Sequence, residues 1–442
     1  MSDLSYKILN SLILPPISGK RPTGGCSSED EGIPSLGGEN ILLEGGITLH
    51  ELKRIPLSFF QSMPKGKLIA HDVLINKDGA HTGKVGIYKG ELKEASINEH
   101  LFILRPIQEF LLDAFYLYYA MLLPETRHKI ERRITGSAQP GLNSGFVNSV
   151  DIPHQDLLYQ KKIARILSII DEAIEKTEEL IGKYEQIKAG MMHDLFTRGL
   201  TADGKLRPPR SEAPHLYHET PIGWIPKEWK FSVMRDKAAP GDHHLKSGPF
   251  GSELKGEHWV EDGHPAITIG ALGEGFFITS ELLHVGAYDA KRLSAFKLKL
   301  GDVVFSRVAD VGRSAVIKDD QVGWIMSSNL MRISLDWKQV LPEFLQYQLS
   351  SDSRVKIQIR RKVNSSGREV ANNETLNSIV FAWPTFEEQK AMVERADAVA
   401  GRIIQEWQYL HKLQNQKSGI LHDLLTGKVP ITVDEGEAAD VG

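Results

Sequence analysis

The chain writes nearly the same line twice. GMMHDLFTRGL occupies residues 190–200 and GILHDLLTGKV occupies residues 419–429, an offset of 229. The register holds far upstream of these two lines. His193 and Asp194 align with His422 and Asp423, Gln160 with Gln389, Asn148 with Asn377, Arg132 with Arg361, Tyr118 with Tyr347, Leu101 with Leu330 and Gly83 with Gly312. One further residue of shift pairs Asp72 and Val73 with Asp302 and Val303. The repeated unit therefore runs from about residue 72 to residue 200. A period this long means a tandem pair of domains, not a solenoid of short repeats. A catalytic motif is rarely needed twice at such a distance, whereas a structural joint can be.

Each copy has the same internal order. First come short β-like runs between glycine-rich turns, such as KLIAHDVLIN (67–76) and LFIL (101–104), and in copy two DVVFS (302–306). A short helical piece follows, over 114–122 and 343–350, and then a basic loop rich in Gly, Ser and Asn. A long amphipathic helix closes each copy. Asp156 after Pro153 offers an N-cap for the first, and Thr385 with Glu388 a capping box for the second. Apolar positions then step by 4 and 3: Ile163, Leu167, Ile170, Ile174, Thr177, Ile181, Tyr184, Lys188, Met191 and Leu195. Copy two gives Met392, Ala396, Val399, Ile403, Glu406, Leu410, Leu413, Lys417, Ile420 and Leu424. This is a heptad seam, broken in both copies at the same two places. Two helices with equal periods are expected to pack on each other, each a rod of about 60 Å.

The fold class expected is α+β. Two globular mixed α/β domains are separated by two long antiparallel coiled-coil helices, with an internal pseudo-twofold repeat. The expected segments are domain one at 1–152, helix at 153–200, linker at 201–220, domain two at 221–383, helix at 384–428 and acidic tail at 429–442. The linker assignment rests on a polar stretch with three prolines and no periodicity.

With 442 residues the chain has room for two domains, and 41% hydrophobic with 25% charged residues excludes a mostly disordered one. The formal net charge of −4 argues at first against nucleic acid. The tail, however, holds Asp434, Glu435, Glu437 and Asp440 and no base; without it the balance is neutral. A single cysteine, Cys26, permits no intrachain disulfide. No signal-peptide pattern and no membrane-length apolar run is present, so a cytoplasmic protein is expected.

The search for catalytic chemistry yields little. DGAHTGKVG (78–86) has its glycines one residue too close for a phosphate-binding loop, and Val85 follows Lys84 where Ser or Thr is needed; a turn is the better reading. His243 and His244 lack further metal ligands at sensible spacing, and the two His-Asp pairs lack a nucleophile. No metal site and no catalytic residue is expected, and no methyl-donor loop is found. Trp224 and Trp229 are expected to pack, not to stack on a ligand. What survives is basic and duplicated. Arg127, Lys129, Arg132 and Arg133 precede ITGSAQPGLNSG, while Arg354, Lys356, Arg360, Arg361 and Lys362 precede VNSSGREVANN, which adds Arg368. The β-rich parts contribute Lys20, Arg21, Lys77 and Lys84 in copy one, and Lys246, Arg307, Arg313 and Asn329 in copy two. Cations beside small hydrogen-bonding residues suit phosphates and base edges. A solvated charged face is the plain alternative, and the duplication weighs against it.

At this point the chain resembles the specificity (S) subunits of type I restriction-modification systems. The resemblance rests on the tandem unit, the two long helices, PTFEEQKAMV with its weaker twin PHQDLLYQKKIA, the repeated helix exits MMHDLFTRGL and ILHDLLTGKVPI, and IGWIPKEWK opening the second domain. It implies two target-recognition domains, each reading one half of a split double-stranded DNA site. The helices would set the gap and receive two DNA methyltransferase (M) subunits, with restriction/translocase (R) subunits joining them and no membrane involved. S-adenosylmethionine, ATP and Mg would belong to those partners, and this chain would carry no cofactor. Copy one lacks the GWIPKEW opening, and its first half aligns poorly with copy two. Different half-sites or a damaged first domain would each produce that divergence. A two-headed coiled-coil scaffold that binds proteins and no DNA fits the repeat and the heptads equally well. A catalytic nuclease or methyltransferase would need residues that the sequence does not offer.

Overall fold

The computed structural model describes residues 4–25, 31–136, 140–240, 244–251, 253–308, 311–365 and 370–432. Cys26, His243, Arg368 and most of the acidic tail lie outside the described residues. The chain forms two compact units: unit 1 comprises residues 1–179 and 408–442, and unit 2 comprises residues 180–407.

Each unit is built on a four-stranded antiparallel sheet with the same strand order. Across unit 1 it runs Ile17–Ser18, Leu101–Leu104, Asp72–Asn76, Val85–Tyr88; across unit 2, Leu245–Ser247, Leu330–Ile333, Val303–Ser306, Ser314–Val316. The central strands are almost wholly apolar between their end residues because both of their faces are covered, Arg332 being the exception. Successive side chains point to opposite faces. Val73, Ile75, Phe102 and Leu104 therefore enter a core shared with the helix Ala114–Leu122, while Leu74, Leu101 and Ile103 enter a second core. Unit 2 sorts Val303, Phe305, Met331 and Ile333 from Val304, Ala315 and Leu330 in the same way. Burying each large one of these side chains is worth about 1.5–3 kcal/mol.

The duplicated aspartate at the entry to the central strand has a local task. Asp72 accepts the Ile69 N–H at 2.9 Å and Asp302 the Lys299 N–H at 2.8 Å, closing the turn into the strand. Arg105 clamps Asp72 with two N–H donors, at 2.5 and 2.7 Å, and these bonds raise the guanidinium pKa. Asp302 takes the Ser334 hydroxyl at 2.6 Å instead.

A smaller sheet also repeats. It runs Lys53–Ile55, Ile33–Leu36, Ser96–Ile97 in unit 1 and Leu283–Val285, His264–Ile267, Ile325–Met326 in unit 2, the last pair parallel in each. Unit 2 adds the edge strand Trp259–Val260. A further strand pair, Ser5–Ile8 with Asp151–His154 and Lys230–Val233 with Val380–Trp383, delivers the chain to each long helix.

The long helices span Leu157–Arg198 and Phe386–Leu425. All the seam positions named above are buried or half-buried. Inside unit 1, Ile163 and Leu167 share a core with Leu421, Leu424 and Leu425, and Asp171 meets Lys417 at 2.7 Å. Inside unit 2, Met192 and Leu195 share a core with Met392 and Ala396, and Tyr184 lies under Arg402. In both units the two helices run antiparallel. The polar breaks in the seam find local partners. Thr177 bonds back to the Ala173 carbonyl at 2.7 Å, Glu406 pairs with Arg402 at 2.7 Å, and Lys188 lies over the Tyr347 ring.

Three expectations need correction. The capping box at Thr385 is half made: Thr385 Oγ1 accepts the Glu388 N–H at 3.3 Å, but the Glu388 carboxylate turns inward. It accepts from Arg207 at 2.6 Å, the Leu200 N–H at 2.7 Å and the Trp229 indole at 3.0 Å. That ion pair also orders the segment 201–220, which is no free linker. Arg207 is buried, and Tyr217–Thr220 pairs with Gly223–Pro226 as a hairpin. Lastly, the basic clusters begin on helices, Pro124–Glu131 and Ser353–Ser365. The second is amphipathic, with Val355, Ile359 and Val363 buried at four-residue spacing beneath its charges.

Candidate nucleic-acid interface

Antiparallel register decides which residues emerge at the same end of a sheet. In unit 2, Ser247 faces Met331, Ser306 faces Leu330 and Phe305 faces Ser314. Gly248, Asn329, Arg307 and Arg313 thus leave the sheet together. Backbone bonds fasten them: Gly248 N–H to the Leu330 carbonyl at 2.9 Å, Arg307 N–H to that of Asn329 at 3.1 Å, and Ser306 N–H to that of Arg313 at 2.8 Å. The Ala371 N–H donates to the Arg307 carbonyl at 2.8 Å, so the chain leaving the basic loop returns to this end. Lys246 lies one residue inside, paired across the ladder with Arg332, its ammonium over the Phe296 ring at 4.9 Å.

Unit 1 repeats three of these four bonds. Lys77 N–H donates to the His100 carbonyl at 2.9 Å, Asn76 N–H to that of Lys84 at 2.8 Å, and Leu142 N–H to that of Lys77 at 2.6 Å. Lys20 and Arg21 follow Ser18 and Gly19 out of the edge strand. Gly19 and Gly248 occupy one position, where a Cβ would stand 1.9 Å from a carbonyl oxygen, of Ile97 and of Ser327 respectively. Gly83 and Gly312 take φ of +90° and +118° before the equivalent cations Lys84 and Arg313. The glycine-rich DGAHTGKVG is indeed a turn between strands, closed by Thr82 Oγ1 on the Gly79 carbonyl at 2.7 Å.

The two ends differ in charge. In unit 1, Arg21 pairs with Glu99 at 2.9 Å, and His100 contacts Asp78 at 2.5 Å. Lys77 is half-buried, donates to the Ser18 hydroxyl at 3.2 Å and lies over the Phe102 ring. In unit 2 the positions of Glu99 and Asp78 hold Ser328 and Val308. Among the described residues no carboxylate pairs with Arg307 or Lys246, and Arg307 Nε is buried without an acceptor. Arg313 donates to the Leu272 carbonyl at 2.8 Å.

The remaining candidates divide. Arg132 and Arg133 are exposed just past their helix, between Ile130 and Ile134, which flank Gly83; they belong to the same end. Arg360 and Arg361 are exposed on the helix leading to the basic loop, and Lys362 is half-buried. Other cations of the clusters are spoken for. Arg354 binds Asp352 and the Phe196 carbonyl, both at 2.7 Å, and Lys129 pairs with Asp151 at 2.9 Å. Sequence reasoning missed His100, although the offset of 229 from Asn329 points straight to it. It also missed Phe250, which follows Gly248 and is 83% exposed. Trp229 packs as expected at 2% exposure, whereas Trp224 is exposed beneath Arg210.

Two equivalent β-rich units, each closed by a long helix and each gathering cations at one sheet end, define a protein with a duplicated domain. The chain belongs to the type I restriction-modification DNA specificity family: the family model, described as "Type I restriction modification DNA specificity domain", matches twice, over residues 35–186 and 254–413. Its function in such a system is recognition of DNA sequence, and it is a non-catalytic component. The chain is 24% identical over 422 residues to the MjaVIII specificity subunit of Methanocaldococcus jannaschii, covering 94% of this chain and 90% of that one. Its fold matches the S subunit from M. genitalium with a TM-score of 0.61 at 14% identity, over 98% and 97% of the two chains. A chain from a solved type I R-M system matches with a TM-score of 0.51 at 14% identity, over 96% and 98%. Among the described residues, no helix is long and apolar enough to cross a membrane.

Proposed function

We propose that the two sheet ends each read one half of a split, asymmetric DNA site, with the paired helices fixing the gap between the halves. In this reading the helices also receive two methyltransferase subunits, which the restriction/translocase subunits join in the cytoplasm. S-adenosylmethionine, ATP and Mg belong to those partners. The observation that carries the proposal is the one-to-one match of Lys77, Lys84 and His100 with Arg307, Arg313 and Asn329 on identical backbone frames. A shared frame presents both ends to a duplex alike, and different side chains on it select different bases. The remaining members of the interface are Lys20, Arg21, Arg132 and Arg133 for unit 1, and Lys246, Arg360, Arg361, Lys362 and Arg368 for unit 2.

The test is a methylome. The chain is co-expressed with its methyltransferase partner, and modified adenines are mapped by long-read sequencing. A split, non-palindromic motif with a fixed gap is the expected result, and Arg307→Ala with Arg313→Ala should relax one half of it only. A soluble complex that leaves no methylated motif would favour the protein scaffold instead.

A further inference from the structure

The edge strand Leu245–Ser247 leaves the sheet of unit 2 through Gly248, Pro249 and Phe250. Phe250 is the most exposed large apolar side chain among the described residues, at 83%. A single exposed ring is ordinary on a protein surface. Three observations set this one apart. Its backbone is tied to Glu253: the Phe250 N–H donates to the Glu253 carboxylate at 2.8 Å, the Glu253 N–H returns to the Phe250 carbonyl at 2.8 Å, and Arg292 Nη2 donates to the Glu253 carbonyl at 2.6 Å. Two residues before Phe250, the Gly248 backbone is pressed against the Ser327 carbonyl. The backbone that carries the ring is therefore tied beside the end that bears Lys246, Arg307 and Arg313. Finally, the repeat places Phe250 where unit 1 has Arg21, an exposed cation paired with Glu99. One position on a common frame carries opposite chemistry in the two readers.

We propose that Phe250 reads a base pair of the half-site taken by unit 2, through apolar contact with a thymine methyl group. The inference rests on the DNA-reading function above. The C5-methyl of thymine is the apolar mark on the base edges of the major groove. The frame that carries Arg307 and Arg313 fixes the register in which a ring on the adjoining backbone can meet it.

The experiment uses the complex of the full chain with its methyltransferase partner, on the half-sites that the wild-type methylome defines. Each thymine of the half-site read by unit 2 is replaced in turn by uracil, which lacks only the methyl group. Binding is measured for the wild type, Phe250→Ala and Phe250→Leu. One uracil should weaken wild-type binding about fourfold, the worth of one buried methyl group. The same uracil should not weaken Phe250→Ala further, and Phe250→Leu should keep part of the discrimination. The inference is overturned if that half-site contains no thymine, if no uracil matters more to the wild type than to Phe250→Ala, or if Phe250→Ala binds every duplex equally less well. Loss of the partner subunit with DNA discrimination intact would make the ring a protein contact and overturn it too. A wild-type complex with no split motif at all would sink the DNA-reading function itself, which is a separate outcome.

Discussion

Gln160 and Gln389 make the same latch in the two units. Both are buried, at 0% and 1% exposure. Gln160 accepts the Asp113 N–H at 3.0 Å and donates to the Leu111 and Gln155 carbonyls, at 3.0 and 2.7 Å. Gln389 accepts the Leu341 N–H and donates to the Gln339 and Pro384 carbonyls, all at 3.1 Å. One amide thus joins the start of each short helix to the start of the long one. Leucine would fill the space but leave three backbone groups unpaired, each costing about 1–3 kcal/mol. With about 1.5–3 kcal/mol regained by burying the leucine itself, chemical denaturation of Gln389→Leu should show a net loss of about 2–5 kcal/mol, and a loss below about 1 kcal/mol would mean that water replaces the amide. A second residue-scale effect concerns pH. Tyr119 donates to Asp171 at 2.8 Å and Tyr347 to Asp397 at 2.5 Å. Burial first, then the facing carboxylate, pushes both phenols well above the ordinary value of about 10. The neutral phenol belongs to the folded state, so its contribution is complete below about pH 10 and fades above it as the unfolded chain ionises first. Thermal unfolding midpoints from pH 8 to 11.5 should fall beyond pH 10, and less steeply in Tyr119→Phe and Tyr347→Phe.

At the scale of elements, the long helices carry polar residues where a heptad seam wants leucine. Thr177 and Glu406 are buried, and each meets its needs within its own helix. Polar seam residues cost stability and fix register and partner number. Thr177→Leu and Glu406→Leu together should therefore raise the melting temperature, while size-exclusion chromatography shows added dimer beside monomer. A lower melting temperature would show that these side chains stabilise the pair outright. The helices were legible because a 4–3 spacing survives any surface chemistry. The helix Ser353–Ser365 was not, because five cations hide the Val355, Ile359 and Val363 stripe in a stretch read as loop. The segment 201–220 was misread for a different reason. What orders it is the Arg207–Glu388 pair, 181 residues apart in sequence, and no local pattern announces such a partner. Arg307, Arg313 and Asn329 could be singled out by charge and repetition, but their gathering depends on strand register. Phe250 escaped because exposure is a property of the fold.

At the scale of the whole molecule, the gap between half-sites is the quantity that the helices are proposed to set. Removing one heptad from each helix keeps the seam in phase and shortens both by about 10 Å, at about 1.5 Å per residue. The methylome should then show a gap about three base pairs shorter, given about 3.4 Å per step, or no methylation at all. An unchanged gap would end the ruler idea. The division of the chain between the units carries a consequence for synthesis. Unit 2 is one unbroken stretch, whereas unit 1 needs residues from both extremities, with Leu421, Leu424 and Leu425 in the same core as Leu9, Ile163 and Leu167. A ribosome delivers the chain from its amino end, and domains fold as they emerge. Unit 1, whose first part is translated before unit 2, is therefore completed after it, when Leu421, Leu424 and Leu425 arrive. A premature stop just after residue 407 would take Leu421, Leu424 and Leu425 from the core of unit 1 and leave the residues of unit 2 complete.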